Sequence, residues 1–247
     1  MIKKIIGIIL FFTSSITYAA NTTLDFATEA TYPPFESVSP SGEMQGFDID
    51  IIKALCQKMQ TQCTFTNQVF ASLIPSLELG KYDAIFGAMN ITAEREKEVD
   101  FTNPYYLNTV SIVVSKANAP ALAQSLKGKT IGVQTGTTLA EYLQNTYGDS
   151  VKVNTYTSEE SAFLDLTSGR IDAVMGDTPL ITAWQKKSAD GYVIVGQPLH
   201  DPKYFGKGYG IAVKKGNKEL LAKLNKAIAE IKADGTYEKI VKQYFGN

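Results

Sequence analysis

The chain has 247 residues, 44% of them hydrophobic and 20% charged, with 24 basic residues against 25 acidic ones. That length suffices for one large domain or two smaller lobes with a substantial core. The even charge balance excludes nucleic acid or an anionic membrane surface as the expected partner, and the composition excludes a disordered chain.

Residues 1–19 read as a secretory signal peptide. Lys3 and Lys4 form a basic start, Ile5 to Phe12 an apolar stretch, and Thr17 and Ala19 the two small positions before cleavage. The apolar stretch is too short for a membrane span and nothing later is long enough, so no membrane insertion is expected. Removing two lysines leaves 22 basic residues against 25 acidic, a net charge of about −3. In an oxidising compartment the only two cysteines, Cys56 and Cys63, read as a local disulfide.

Leu24 to Thr28 alternates like a strand. Pro33 and Pro34 then stiffen a loop that carries Tyr32 and Phe35. Phe47 to Met59 has apolar residues at helical spacing, with Asp48 and Asp50 near its start. Cys63 to Asn67 is a predicted strand, and Phe70 to Leu79 a short helix ending at Gly80. The next strand, Tyr82 to Gly87, runs into a turn; Thr92 is the expected N-cap of a helix starting near Ala93. Strands alternating with helices predict an α/β sheet with crossovers.

Two stretches echo each other. Leu77-Glu-Leu-Gly-Lys-Tyr-Asp-Ala-Ile-Phe-Gly87 matches Leu166-Thr-Ser-Gly-Arg-Ile-Asp-Ala-Val-Met-Gly176 in leucine, glycine, basic residue, Asp-Ala, two apolar residues and glycine. Each reads as helix end, tight turn and buried strand. The pair predicts two similar lobes, each offering a strand end to a shared cleft. Leu107 to Ser115 and Phe205 to Val213 are the candidate crossovers between lobes.

Catalytic and cofactor motifs are missing. Gly128-Lys-Thr lacks the earlier glycine of a phosphate loop, Gly206-Lys-Gly-Tyr-Gly lacks dinucleotide-binding spacing, and His200 has no evident nucleophile. No metal site or cofactor is expected. The remaining chemistry is recognition. Arg95, in the first turn of a helix where a cation is locally unfavourable, is a fork for a carboxylate, or else a solvated arginine balanced by Glu94, Glu96 and Glu98. Thr135-Gly-Thr-Thr138 opens a helix and offers amides and hydroxyls to an anion. Asp177, at the end of the second echoed strand, is an anion for an ammonium, or else simply the N-cap of the following helix. Together the three suit an α-amino acid.

At these residues the chain resembles the periplasmic amino-acid-binding proteins of ABC importers, and most of all the arginine-binding and lysine/arginine/ornithine-binding group. The resemblance runs over the whole mature chain. It is carried by Tyr32-Pro-Pro-Phe-Glu36, Gly46-Phe-Asp-Ile-Asp50, the two cysteines, Asn90-Ile-Thr-Ala-Glu-Arg95, Phe101-Thr-Asn-Pro-Tyr-Tyr106, Gly136-Thr-Thr138 and Gly169 to Asp177. It implies a two-lobed α/β periplasmic binding protein of type II, with two crossover strands and a ligand cleft between lobes. The implied division is residues 20–109 with 208–247 in one lobe and 110–207 in the other. It also implies a periplasmic monomer that hands its ligand to a membrane permease.

The resemblance sends the ligand's carboxylate to Arg95 and the amides near Thr138, and its ammonium to Asp177. Tyr32 and Phe70 flank the ligand side chain, and Glu29, Gly87, Ala88, Asn90, Gln134 and Thr135 complete the implied set. Histidine- and lysine-binding relatives have a serine-rich strand end where this chain has Gly87-Ala88-Met89-Asn90, which points to the arginine subgroup. Side-chain chemistry agrees. A guanidinium is planar, weakly hydrated and stacks on aromatic faces, and Glu29 stands where it can accept its N–H groups. The alternatives are lysine, ornithine, histidine or glutamine as ligand, or a dehydratase on the same fold.

Overall fold

The computed structural model describes residues 23–246. The predicted signal peptide lies outside the described residues. Two five-stranded sheets form the two lobes. The first has the order Gln62–Asn67, Thr23–Thr28, Ala84–Ile85, Ala212–Lys214, Val99–Phe101. The second has the order Lys152–Tyr156, Thr130–Gln134, Ala173–Asp177, Val110–Ser115, Tyr192–Leu199. In each sheet the first three strands are parallel and the fourth is antiparallel to both its neighbours.

The echoed stretches occupy the same place in the two sheets, the third strand of each. Their side chains and backbone also do the same work. Asp83 N donates to Asp25 O at 2.9 Å, and Asp83 Oδ2 accepts from Asp25 N at 2.8 Å. Asp172 repeats both bonds with Thr130, at 2.9 and 2.8 Å. Each thereby fixes the register of its strand against the central one. Gly80 (φ 72°) and Gly169 (φ 69°) close the preceding helices in the left-handed region, where a side chain is strained.

The helices Phe47–Lys58, Lys218–Ala233 and Thr236–Phe245 pack together on the first lobe. Their buried faces meet through Ile51, Leu55, Leu224, Ile228 and Ile240. Full burial of such side chains contributes about 1.5–3 kcal/mol each. The second lobe buries Val110, Ile131, Val133, Leu143 and Met175. Among the described residues no helix is long and apolar enough to cross a membrane.

Two expectations need adjustment. The helix expected from Ala93 is the single turn Arg95–Glu98; Thr92 still helps, its Oγ1 accepting from Arg95 N at 3.3 Å. The start is delayed because Ile91 is held in the linker contacts, donating to Gly208 O at 2.9 Å and accepting from Lys207 N at 3.1 Å. The strand Val110–Ser115 belongs wholly to the second sheet, so the chain crosses between lobes just before it, and again after Phe205. These two linkers pair through Tyr106 and Tyr209. Gly206, at φ 67°, explains the glycines there: a Cβ on it would stand 2.0 Å from Ile91 O, so only glycine lets the backbones touch.

Cys56 and Cys63 are bonded and tie the helix Phe47–Lys58 to the edge strand Gln62–Asn67, across a sequence separation of 7. The loop closed is short, so reduction should lower stability by only about 2 kcal/mol. Thiol titration of the unreduced, denatured protein should find no reactive cysteine, and denaturant melts with and without reductant should give that difference; two reactive thiols would refute the bond.

Candidate functional site

Five chain segments deliver polar groups to one cleft, all at the carboxyl ends of parallel strands. Glu29 follows Thr23–Thr28, Phe70 comes shortly after Gln62–Asn67, and Gly87 and Ala88 follow Ala84–Ile85. From the other lobe, Gln134 ends Thr130–Gln134 and Asp177 ends Ala173–Asp177. Strand polarity is what makes them converge. The cleft encloses about 400 Å3, its mouth included, and Tyr32, Asn90, Arg95 and Thr138 also line it.

Arg95 reaches across the cleft. Its Nη1 donates to Asn90 O at 2.9 Å, its Nη2 donates to Gly136 O in the other lobe at 3.0 Å, and its Cζ stands 5.5 Å from the centre of the Phe70 ring. The two carboxylate receptors read from the sequence, Arg95 and the turn before the helix Leu139–Tyr147, are thus side by side. Burial lowers the Arg95 pKa to about 10 against the pull of Asp177, so the guanidinium stays charged at neutral pH.

Asp177 is 5% exposed. It precedes the helix Thr178–Lys187 but makes no side-chain cap bond to it. Its Oδ2 instead accepts from the Tyr32 hydroxyl of the first lobe at 2.9 Å, and its Oδ1 accepts from Asn108 Nδ2. Tyr209 turns its buried hydroxyl towards the same carboxyl in looser geometry. Burial raises the pKa of Asp177, while these donors and Arg95 pull it down.

Glu29 is 7% exposed. Its Oε1 accepts from Thr31 Oγ1 at 3.1 Å; its Oε2 accepts from Phe70 N at 3.0 Å and from Gln134 Nε2 across the cleft. Its pKa is raised, by burial first. Asn90 Oδ1 and Thr138 Oγ1 are buried without a partner in the protein, so each remains available to a ligand.

One residue of the sequence-derived set lies elsewhere. Thr135 is exposed, and its N–H donates to Tyr156 O at 2.8 Å, continuing the strand pairing, so it does not line the cleft. Its neighbour Thr137 does. Sequence reading also missed Glu36, Asp48 and Glu159. Glu36 lines the cleft; Asp48 is fully buried rather than a solvated helix-start acid. Glu159 sits behind Asp177, 1% exposed with neither oxygen in close hydrogen-bond geometry, and burial followed by the charge of Asp177 pushes its pKa well up against the pull of the Gln134 backbone. Its carboxyl packs where a Cβ on Gly176 would stand, at 2.6 Å. Glu36 and Asp48 were visible in the motifs Pro33-Pro-Phe-Glu36 and Gly46-Phe-Asp48. What pattern reading lacked was any sign that they meet. His200 is exposed, with Nδ1 3.3 Å from Asn108 O, and takes no part in the cleft.

Known proteins resemble this chain closely. It is 49% identical over 234 residues, 94% of this chain and 95% of the relative, to the ABC transporter arginine-binding protein 1 of Escherichia coli K12. A Salmonella typhimurium periplasmic binding protein described for high arginine specificity superposes with a TM-score of 0.85 at 42% identity, over 90% of this chain and 99% of the other. An ancestral arginine-binding protein bound to glutamine gives 0.83 at 41% identity, over 91% of this chain and 98% of the other. Residues 24–247 match the family model of the bacterial extracellular solute-binding proteins, family 3, and the chain belongs to that family.

Proposed function

We propose that the protein captures a basic L-amino acid, arginine in preference, in the periplasm and delivers it to the permease of an ABC importer, without chemical turnover. The observation that carries this reading is the charge inventory of the cleft. One guanidinium, Arg95, shares the cleft with more than one buried acid, Asp177 on one wall and Glu29 and Glu36 on the other, whose charged forms a ligand cation would favour. A zwitterion balances Arg95 and Asp177. A further cation on the ligand offsets part of the remaining acid. The arginine-binding relatives support the same choice. The bodies that close are residues 20–109 with 208–247 and residues 110–207, hinged where Tyr106 and Tyr209 pair.

In this reading Arg95 and the turn at Thr138 take the ligand's carboxylate, Asp177 and Asn90 its ammonium, and Tyr32, Phe70 and Glu29 its side chain. Gly87 and Ala88 form the floor, and Gln134 holds Glu29. Ligand bonds to both lobes form only in the closed state, so the ligand shifts the population towards it. A neutral ligand is the second reading, favoured by the relative found with glutamine.

Arg95→Ala or Asp177→Ala should weaken arginine binding by about 2–5 kcal/mol, because each leaves a charge unpaired in a dry cleft. Calorimetric titration measures this, and affinity within error of wild type for both variants would place the ligand elsewhere. In competition, lysine, ornithine, histidine and glutamine at equal concentration should fail to displace bound arginine. Displacement by glutamine would favour the neutral-ligand reading instead. Glu29→Gln should narrow the preference for arginine over glutamine, since it removes an acceptor for the guanidinium while keeping the bond pattern to Phe70 and Thr31 largely intact.

A further inference from the structure

Glu36 and Asp48 form a buried acid pair that the assignment of ligand groups leaves unused. Local chain geometry puts them together. The carbonyls of Pro34 and Phe35 accept the opening amides of the helix, from Phe47 N and Asp48 N, both at 2.9 Å. The next side chain, Glu36, therefore leaves the loop beside Asp48. They are 1% and 0% exposed. Asp48 Oδ2 accepts from Ala88 N at 2.8 Å and from the Tyr105 hydroxyl at 2.7 Å. Asp48 Oδ1 and Glu36 Oε2 take no donor from any other group, and the two carboxyl groups lie within hydrogen-bonding reach of each other. Two bare carboxylates in that position repel, so with no cation beside them the contact holds a proton between the oxygens.

The surroundings keep that proton in place. Glu36 faces Asp48 from the helix, Glu29 from the neighbouring strand end and Asp177 from the other lobe. Asp48 faces Glu36, Tyr105, the Ala88 amide and Asp177. Among the described residues no ion pair involves either acid, and Arg95 is committed to Asn90 O and Gly136 O. Burial, then the charge of Asp48, pushes Glu36 well above the carboxylate range. Burial also raises Asp48, to about 6, against the pull of the Ala88 amide and the Tyr105 hydroxyl.

We infer that Glu36 is a specificity-determining residue that responds to the net charge of the ligand: the Glu36–Asp48 pair holds one proton against a neutral ligand and releases it to solvent when a ligand of charge +1 enters. This rests on the basic-amino-acid reading above. The Glu36 O–H bond breaks, the proton goes to buffer, and the ligand's side-chain cation replaces its charge. The charge of Glu29 already acts on Glu36, so a ligand cation bound at Glu29 acts on it with the opposite sign; a unit charge nearby in a medium of intermediate dielectric shifts a carboxyl's titration by about two pH units. A zwitterion such as glutamine brings no net charge and leaves the proton where it is. The sign follows from linkage. A proton released on binding makes arginine affinity rise with pH, by at most about tenfold per unit, so discrimination against neutral ligands sharpens as pH increases.

The test is calorimetry of the full mature chain with L-arginine at neutral pH in phosphate and in Tris, buffers with very different heats of ionisation. The apparent enthalpies should differ by the heat of the released proton, at most one per arginine. Glu36→Gln, which can still donate to Asp48, should show arginine heats that no longer depend on buffer. The infrared difference spectrum of the wild type on adding arginine needs no variant, and should lose a protonated-carboxyl band and gain carboxylate bands. Equal heats for wild type in the two buffers, or unchanged proton release in Glu36→Gln, overturns the inference while leaving arginine binding intact. Absence of any arginine binding removes the ligand reading and this inference with it.

Discussion

Asp177 is a carboxylate buried without a salt-bridge partner among the described residues, and it is kept ionisable by neutral donors. Leaving such a charge uncompensated is among the most destabilising things a fold can do. The donors come from Tyr32 on the proline loop of the first lobe and Asn108 on the first linker, with the Tyr209 hydroxyl of the second linker turned towards the same carboxyl. One carboxyl group thus ties the proline loop and the first linker to the second sheet. The stiffness of Pro33-Pro34 matters because it presents Tyr32 at the required place, and the same loop caps the helix that carries Asp48.

The linkers answer to a different constraint. Two chain segments run between the lobes within backbone contact of each other and of the strand end at Met89–Ile91, where Gly210 N donates to Met89 O at 3.0 Å. Glycines at 206 and 208 are what allow that approach, since a Cβ at either would meet a carbonyl oxygen at 2.0 or 2.4 Å. The aromatic rings around the linkers, with Tyr106 and Tyr209 stacked 5.5 Å apart and Phe35 set edge-on to both, make a compact hinge. Motion there changes few contacts inside either lobe, which suits rigid-body closure.

Much of this was legible in the chain. The echo of Leu77–Gly87 in Leu166–Gly176 placed two equivalent strands because glycine turn, aspartate and apolar run are local requirements that any copy must keep. Strand ends aimed at a common cleft followed from α/β polarity. Arg95 stood out because a cation in a first helical turn is unfavourable unless something else uses it. What pattern could not give was long-range pairing. Nothing near Asp48 marks it as a buried partner of Glu36, because both sit where an acid is also unremarkable: one after a loop, the other at a helix start. Thr135 was assigned to the cleft by proximity to Thr138, but a strand's alternation turns it outward, and a one-residue step is below the resolution of motif reading. Glu159 needed the coincidence of a helix start with Gly176, which only the folded sheet supplies.

Closure itself can be weighed from the bonds that cross the cleft. Tyr32 to Asp177, Gln134 to Glu29 and Arg95 to Gly136 join the lobes without any ligand. Neutral bonds of this sort contribute about 0.5–1.5 kcal/mol each, and more where a charge takes part. They compete with water in the open state, so their net contribution to closure is modest. Moving a two-state equilibrium from one extreme to the other takes about 5.5 kcal/mol of differential binding. On the reading proposed above, a ligand that bonds Arg95 with one end and Asp177 with the other supplies interactions of that order. The direct bonds hold the walls in register, and on that reading the charged ends of the ligand supply what keeps the cleft shut.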